Sequence, residues 1–204
     1  MGRRRPERPV PADRVEARAA RRAELLDAAV RAIRDQGAGV SMETIAAAAG
    51  VTKPIIYKHF GDRAGLVGAL GERFGIDIVK EIARALAAVD EPRELVRSTI
   101  DAYLKVVEDD PAVYRFLATN MGSLDGVDAN GLVIDVGRRV ALVLGEQLRA
   151  AGLDSGPAEP WAYGIVGMVH MAGDWWVTHR TMTRERLTEY LTTLLWQGLG
   201  GLGS

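Results

Sequence analysis

The segment Ser41–Phe60, SMETIAAAAGVTKPIIYKHF, leaves the chain few choices: it reads as a short helix, a sharp corner and a second short helix. Ser41 can accept a backbone hydrogen bond at the start of the first helix, and Ile45, Ala46 and Ala49 recur on one face at helical spacing. Gly50 permits the left-handed backbone that ends a helix and turns the chain. Thr52 is expected to cap the second helix, where Pro54 is tolerated because the first turn has no intrahelical partner for its missing N–H. The small side chains of Ala46 and Ala49 let the two helices cross closely, the geometry of a helix-turn-helix. Lys53, Lys58, His59 and the Tyr57 hydroxyl then share a polar face, four groups able to meet phosphate. The alternative is a plain helical corner in which Tyr57 and Phe60 are core aromatics.

Charge along the chain favours the first reading. Residues 1–63 hold 13 Lys or Arg against 8 Asp or Glu, whereas residues 64–204 hold 13 against 19. The net charge of −1 therefore hides a basic front and an acidic rear, a footprint for a polyanion at one end only.

At 204 residues the chain can bury a proper core. It has no cysteine, which excludes disulfides, thiolate catalysis and cysteine-ligated zinc and fits a reducing cytoplasm. No secretory signal is evident, and the apolar run Trp161–Gly173 is too short and glycine-rich to span a bilayer. The expectation is a soluble, cytoplasmic protein with no membrane partner.

Helical periodicity recurs almost throughout, and strand alternation is rare, so the predicted fold class is all-α with about nine helices. Residues 1–12 combine arginine and proline without an apolar stripe and are expected to form a flexible basic arm. Residues 13–61 then form a three-helix DNA-binding domain and residues 62–204 a larger helical domain. Leu25, Leu26, Ala29, Val30 and Ile33 mark the first helix, closed by Gly37 and Gly39. Asp62 should cap a long helix carrying Leu66, Val67, Leu70, Phe74, Ile78, Ile82 and Leu86, which bridges into the larger domain. Glu91 and Pro92 start a helix with Val96, Ile100, Tyr103, Leu104 and Val107. A shorter one follows over 111–119, and residues 122–131 read as a loop. Leu132, Val136, Val140, Val143 and Leu144 line the next helix, which Gly152 ends. Helices over about 158–178 and 183–198 close the chain. Trp161, Ile165, Met168, Ala172 and Trp176 fall on one face of the first of these, and Leu187, Tyr190, Leu191, Leu194, Leu195 and Trp196 make the second equally apolar. Either they form a buried hairpin or, as favoured here, they meet a second copy in a four-helix seam. The predicted interface is Ile165, Ala172, Trp176, Leu187, Tyr190, Leu191, Leu194 and Leu195.

Leu25, Ala28, Ala29, Ile33, Gly37, Met42, Ile45, Ala46, Ala49, Gly50, Val51, Thr52, Ile56, Tyr57, His59, Phe60 and Leu66 stand in the order and spacing of the DNA-binding module of the tetracycline-repressor (TetR) family. The chain resembles that family over about residues 20–70. One departure is visible: Arg63 stands where the family usually has lysine. The resemblance implies a homodimeric transcription factor, usually a repressor, whose third helix enters the major groove of a double-stranded operator. It also implies a small-molecule effector in the C-terminal domain, whose binding moves the fourth helix and spoils the spacing of the two reading heads.

Roles follow as expectations. Lys53 leads as base reader toward guanine, Ile55 toward a thymine methyl, and Lys58 serves as reader or phosphate contact. Ser41, Thr52, Tyr57, His59 and Arg63 are expected on the DNA backbone. Arg3, Arg4, Arg5 and Arg8 either reach the DNA or form a solvated tail. Tyr103, Phe116, Met121, Trp161, Met168, Met171 and Trp175 offer apolar pocket lining, and His170 with Asp174 offers polarity one turn apart, although each of these residues can equally be core. A metal site at His170 and Asp174 is disfavoured, no cofactor is expected, and no catalytic constellation is evident. A regulator released by a largely apolar ligand is preferred over a DNA-binding protein without ligand sensing, and over a helical-bundle enzyme.

Overall fold

The structure, a computed structural model, describes residues 12–89, 91–121 and 131–198. Among them are nine helices and no strands: α1 (Ala12–Gln36), α2 (Met42–Ala48), α3 (Lys53–Phe60), α4 (Arg63–Ala87), α5 (Pro92–Asp109), α6 (Pro111–Met121), α7 (Gly131–Ala150), α8 (Ala158–His179) and α9 (Arg184–Gln197). The all-α expectation holds. The basic arm, with Arg3, Arg4, Arg5 and Arg8, and most of the expected 122–131 loop lie outside the described residues.

Local chemistry sets many of the helix ends. Ser41 Oγ accepts the Thr44 amide at 3.1 Å and starts α2. At its end Gly50 takes φ 64°, the Val51 amide donates to Ala46 O and the Gly50 amide to Ala47 O, a Schellman closure. Asp62 Oδ1 accepts the Gly65 amide at 2.7 Å to start α4, and Thr183 Oγ1 accepts the Arg186 amide at 3.3 Å to start α9. Thr52 does stand at the N-cap of α3 with extended backbone, but its side chain makes no capping bond, so Pro54 and packing hold that helix instead.

One hydrophobic core joins the small and the large modules. Leu25, Ala29 and Ile33 of α1, Ile45 of α2, Ile56 and Phe60 of α3, and Leu66, Val67 and Leu70 of α4 are buried in the same cluster as Leu104, Phe116 and Trp176. Each fully buried large side chain contributes about 1.5–3 kcal/mol, which compensates for the short α2 and α3 that would not persist alone. α6 lies against both α1 and α4, and α5 packs on α4, α8 and α9. The alternative of a buried α8–α9 hairpin is not realised within the protomer: α9 packs chiefly on α5, while α8 packs chiefly on α7. Small residues allow that last approach, since an added methyl at Gly137 would lie 2.8 Å from the Tyr163 ring. Val143, predicted in the packed stripe of α7, is 56% exposed, because this glycine-containing face is the one turned to α8.

The α3–α4 corner is tighter still. A Cβ built on Gly65 would stand 1.8 Å from the Phe60 carbonyl oxygen, a backbone atom that cannot rotate away. Gly65→Ala is accordingly expected to destabilise the protein by at least about 1–3 kcal/mol, read as a lowered thermal midpoint in calorimetry. Gly68→Ala, one turn further along α4 where the same added methyl meets open space, serves as the control and should hold or raise the midpoint.

Candidate nucleic-acid interface and effector site

α3 presents two different faces. Ile56 and Phe60 point into the core, while Lys58 and Ile55 are exposed and Lys53 and Tyr57 are half-buried at the rim. The Lys53 ammonium pairs with the Glu43 carboxylate of α2 and stands 5.6 Å from the Tyr57 ring centroid. This hydrogen-bonded pair raises the Lys53 pKa and lowers that of Glu43, so both stay charged at neutral pH. Between exposed partners such a pair is weak and salt-sensitive, and a DNA phosphate or base can take the ammonium over. Ser41, which starts α2, is exposed, and so is the Thr52 hydroxyl, unused in capping.

His59 is placed differently from the expectation of a phosphate contact. Its Nδ1 is buried without a hydrogen-bond partner, and burial pushes its pKa down, helped by the charges of Arg18, Lys58, Arg21 and Arg22. The ring is thus neutral at physiological pH and offers no cation. The same neighbours identify basic residues that the sequence reading passed over. Arg18, Arg21 and Arg22 of α1 gather beside α3, and the Arg22 guanidinium lies 5.0 Å from the Phe60 ring centroid. Their signal was present in the sequence as cations three and four apart on α1, at Arg14, Arg18, Arg21 and Arg22.

Arg63 meets partners within the protein: its Nε donates to Asn120 Oδ1 at 3.0 Å, its Nη1 donates to Val40 O at 3.1 Å, and it stacks 5.5 Å from the Phe116 ring centroid. The planar fork satisfies two polar partners at once.

In the larger module the expected pocket residues separate into two groups. Tyr103 of α5 and His170 of α8 meet, with the Tyr103 hydroxyl 3.1 Å from His170 Nδ1. Tyr114 of α6, absent from the sequence reading, joins them: its ring lies 6.4 Å from His170 and 6.2 Å from Phe74, and its buried hydroxyl has no hydrogen-bond partner of good geometry. Burial and the Asp174 carboxylate push Tyr114 up to about 12, and burial raises Tyr103 well above its ordinary value. Burial lowers His170, with Asp174 partly opposing it. Three neutral hydrogen-bonding groups and one carboxylate therefore converge from α5, α6 and α8. Met168 packs partly buried on the core, and Phe116 is fully buried in it, beneath Arg63.

Trp161, Met171 and Trp175 do not join that group. They are 54%, 64% and 43% exposed, whereas Trp176, expected at a subunit seam, is 1% exposed with its Nε1 donating to Met182 O at 2.8 Å. Leu187 and Leu191, also expected at the seam, are buried within the protomer, and Tyr190 is half-exposed. The prediction for α8 is thus split: Met168, His170 and Asp174 turn inward as expected of a pocket, Trp161, Met171 and Trp175 turn outward, and Trp176 is core, because α8 is apolar around most of its circumference and periodicity alone cannot say which side meets the core. The Met121 side chain lies outside those described. Two clefts open elsewhere: one of about 270 Å³ between α4 and α5, lined by charged residues including Arg84, Arg97 and Asp101, and one of about 90 Å³ between α1, α4 and the α5–α6 corner, lined by Arg34, Phe74 and Asp110 among others. Among the described residues no cluster of metal-ligating side chains occurs, and no helix is long and apolar enough to cross a membrane.

Comparison with known proteins accounts for most of the chain. Residues 25–70 match the profile of bacterial regulatory proteins of the tetR family, and residues 81–203 match the tetracyclin repressor-like C-terminal domain. A helix-turn-helix transcriptional regulator of Mycobacterium tuberculosis is 38% identical over 184 residues, 89% of this chain and 78% of that protein. The transcriptional activator FasR of Mycolicibacterium smegmatis is 27% identical over 181 residues, 88% of this chain and 83% of FasR. A TetR-like regulator from Rhodococcus sp. RHA1 superposes with a TM-score of 0.66 at 26% identity, covering 90% of this chain and 97% of its own. FadR of Bacillus subtilis, solved with stearoyl-CoA, shares the fold at a TM-score of 0.68 and 18% identity, covering 87% and 98%. The reading helix turned outward from a shared core, and family profiles on both modules, agree: the chain belongs to the TetR family of helix-turn-helix transcriptional regulators.

Proposed function

We propose that the protein is a homodimeric, cytoplasmic repressor that binds a palindromic operator through α3 and is released by a small, largely apolar ligand held among α5, α6 and α8. The observation that carries the DNA reading is the outward face of α3, with Lys53, Ile55 and Lys58 presented together while Ile56 and Phe60 lock the helix to the core. Lys53 and Lys58 suit base edges or phosphates and Ile55 a thymine methyl, with Ser41, Thr52 and Tyr57 on the DNA backbone and Arg18 and Arg21 of α1 adding positive potential. Residues 13–61 act as the reading module and residues 62–204 as the sensing and pairing module.

A second copy is the occupant that suits the exposed stripe Trp161, Gly164, Met171 and Trp175 on α8, together with Tyr190 and Trp196 of α9. Several large apolar side chains left in water along one side of a protomer are the kind of patch that subunit association covers, and two-fold symmetry matches two half-sites about 34–36 Å apart. For the ligand, Tyr103, Tyr114 and His170 supply neutral hydrogen-bonding groups and Asp174 a negative charge. That set favours an effector with an apolar body and a neutral or cationic polar group, and disfavours a carboxylate at this point. The fold neighbour solved with stearoyl-CoA supports a sensor of long apolar molecules in general terms.

The test is a mobility-shift titration against the DNA upstream of the protein's own gene at fixed salt, alongside random duplex. Preference for a palindrome by at least about 10³-fold is expected, and comparable binding to all DNA would leave only a non-sensing DNA binder. Lys53→Ala should weaken binding by about 1–3 kcal/mol at operators carrying its base and change little at operators altered there. Uniform weakening would reassign Lys53 to phosphate. Met171→Glu, at an exposed position, should shift sedimentation from dimer to monomer without loss of helix content. The histidines set an acid limit. His59 and His170 bind protons less readily folded than unfolded, so the stability they contribute is present above their ordinary pKa of 6.5 and is lost as pH falls through the lower folded values. The thermal midpoint should therefore drop below about pH 6.5, and less steeply in His170→Gln.

A further inference from the structure

We propose that Arg63 is the joint through which the C-terminal module positions the DNA-reading helices, and that it acts by clasping Val40 and Asn120 rather than by touching DNA. The proposal rests on the reading that α3 docks on DNA, and it adds a positioning residue that neither the fold nor the family profile assigns. Arg63 is the first residue of α4, at the point where four segments meet. Its Nη1 holds the Val40 carbonyl, and Val40, 2% exposed, immediately precedes the Ser41 cap of α2. Its Nε holds Asn120 Oδ1 near the end of α6. The Asn120 amide is itself oriented, because Nδ2 donates to Phe116 O at 2.8 Å and leaves Oδ1 for the arginine. The Phe116 ring lies beneath the guanidinium.

Two further features make this clasp a transmitter rather than an isolated contact. Gly65 presses the first turn of α4 against the Phe60 carbonyl, so the start of α4 and the end of α3 move together. At the other end of α6, Arg34 of α1 donates to Asp110 through Nε at 3.1 Å and Nη2 at 2.7 Å. α6 is thus strapped to the reading module near both ends, and Tyr114 of the proposed effector site stands between the straps. A displacement of α6 at Tyr114 is delivered to Val40 and the start of α2 through Arg63. Lysine cannot replace this function. Its ammonium is a point charge on a flexible stem, whereas guanidinium reaches two acceptors on different helices from one rigid plane. This gives a physical reason for arginine at the position where the family usually has lysine.

The experiment uses full-length protein and duplex DNA selected from a random pool by the wild type. Fluorescence anisotropy over a salt series is measured for wild type, Arg63→Ala, Arg63→Lys, Asn120→Ala and the Arg63→Ala/Asn120→Ala double variant. The expected result is that all three single variants weaken binding about 5- to 50-fold, a coupling of the size two linked sites show. The salt slope should be unchanged and the double variant no weaker than Arg63→Ala. A phosphate contact would instead leave Asn120→Ala like wild type, let Arg63→Lys retain affinity, and reduce the salt slope by about 0.9 in Arg63→Ala; that pattern overturns the proposal. Hydrogen exchange on the free proteins supplies a readout independent of DNA. Asn120→Ala should accelerate exchange of the Thr44 and Ile45 amides at the start of α2, and unchanged protection there overturns the clasp. Failure of the wild type to select any DNA would overturn the docking of α3, a result the exchange measurement keeps separate.

Discussion

Everything the protein does at DNA depends on the burial of Ile56 and Phe60. α3 has only eight residues, too few for a stable isolated helix in water, and its own N-cap threonine makes no side-chain bond. It exists because its inward face is part of a core that continues through α1 and α4 into the larger module. The outward face is thereby free to carry charge and recognition without having to supply stability. The same core joins the two modules directly, with α6 packed on both α1 and α4.

Around that frame the charges are partly restrained. Lys53 is held by Glu43, Arg34 by Asp110 and Arg73 by Asp27, and His59 is kept neutral by burial beside three arginines of α1. The positive end of the chain is therefore not a loose cloud of cations. Some of its members are structural ties, and others, such as Lys58, are left exposed. The acidic rear contributes too: Asp101 and Glu108 receive Arg184 at 3.3 and 3.2 Å, tying α9 to α5.

The helices and their ends were largely legible in sequence because their signals are local. Ser41, Asp62, Glu91 and Thr183 announce caps, Gly50 announces a left-handed turn, and apolar spacing marks the packed stripes. The outward face of α3 was legible for the same reason, since a helix with polar residues on one side and Ile56 and Phe60 on the other has one sensible orientation. Where the signal was not local the reading failed. α8 carries tryptophan on more than one side, so spacing alone did not say which tryptophans are buried, and Trp176 lies in the core while Trp161 and Trp175 lie outside. Tyr114 was missed because one tyrosine in a short apolar helix looks like any core residue until His170 and Tyr103 are brought beside it.

The sequence by itself determined the all-α class, the helix-turn-helix, the basic front and the family, because propensity, capping and charge reside in neighbouring residues. Only the tertiary structure decided what Arg63 touches, which side of α8 faces outward, and that three hydrogen-bonding groups and a carboxylate gather between α5, α6 and α8. The reason is physical. A guanidinium at a helix start can meet DNA phosphate or a buried carbonyl equally well in chemical terms. The choice falls to whichever partners the packing places within about 3 Å, and those partners, Val40 and Asn120, lie 23 and 57 residues away along the chain.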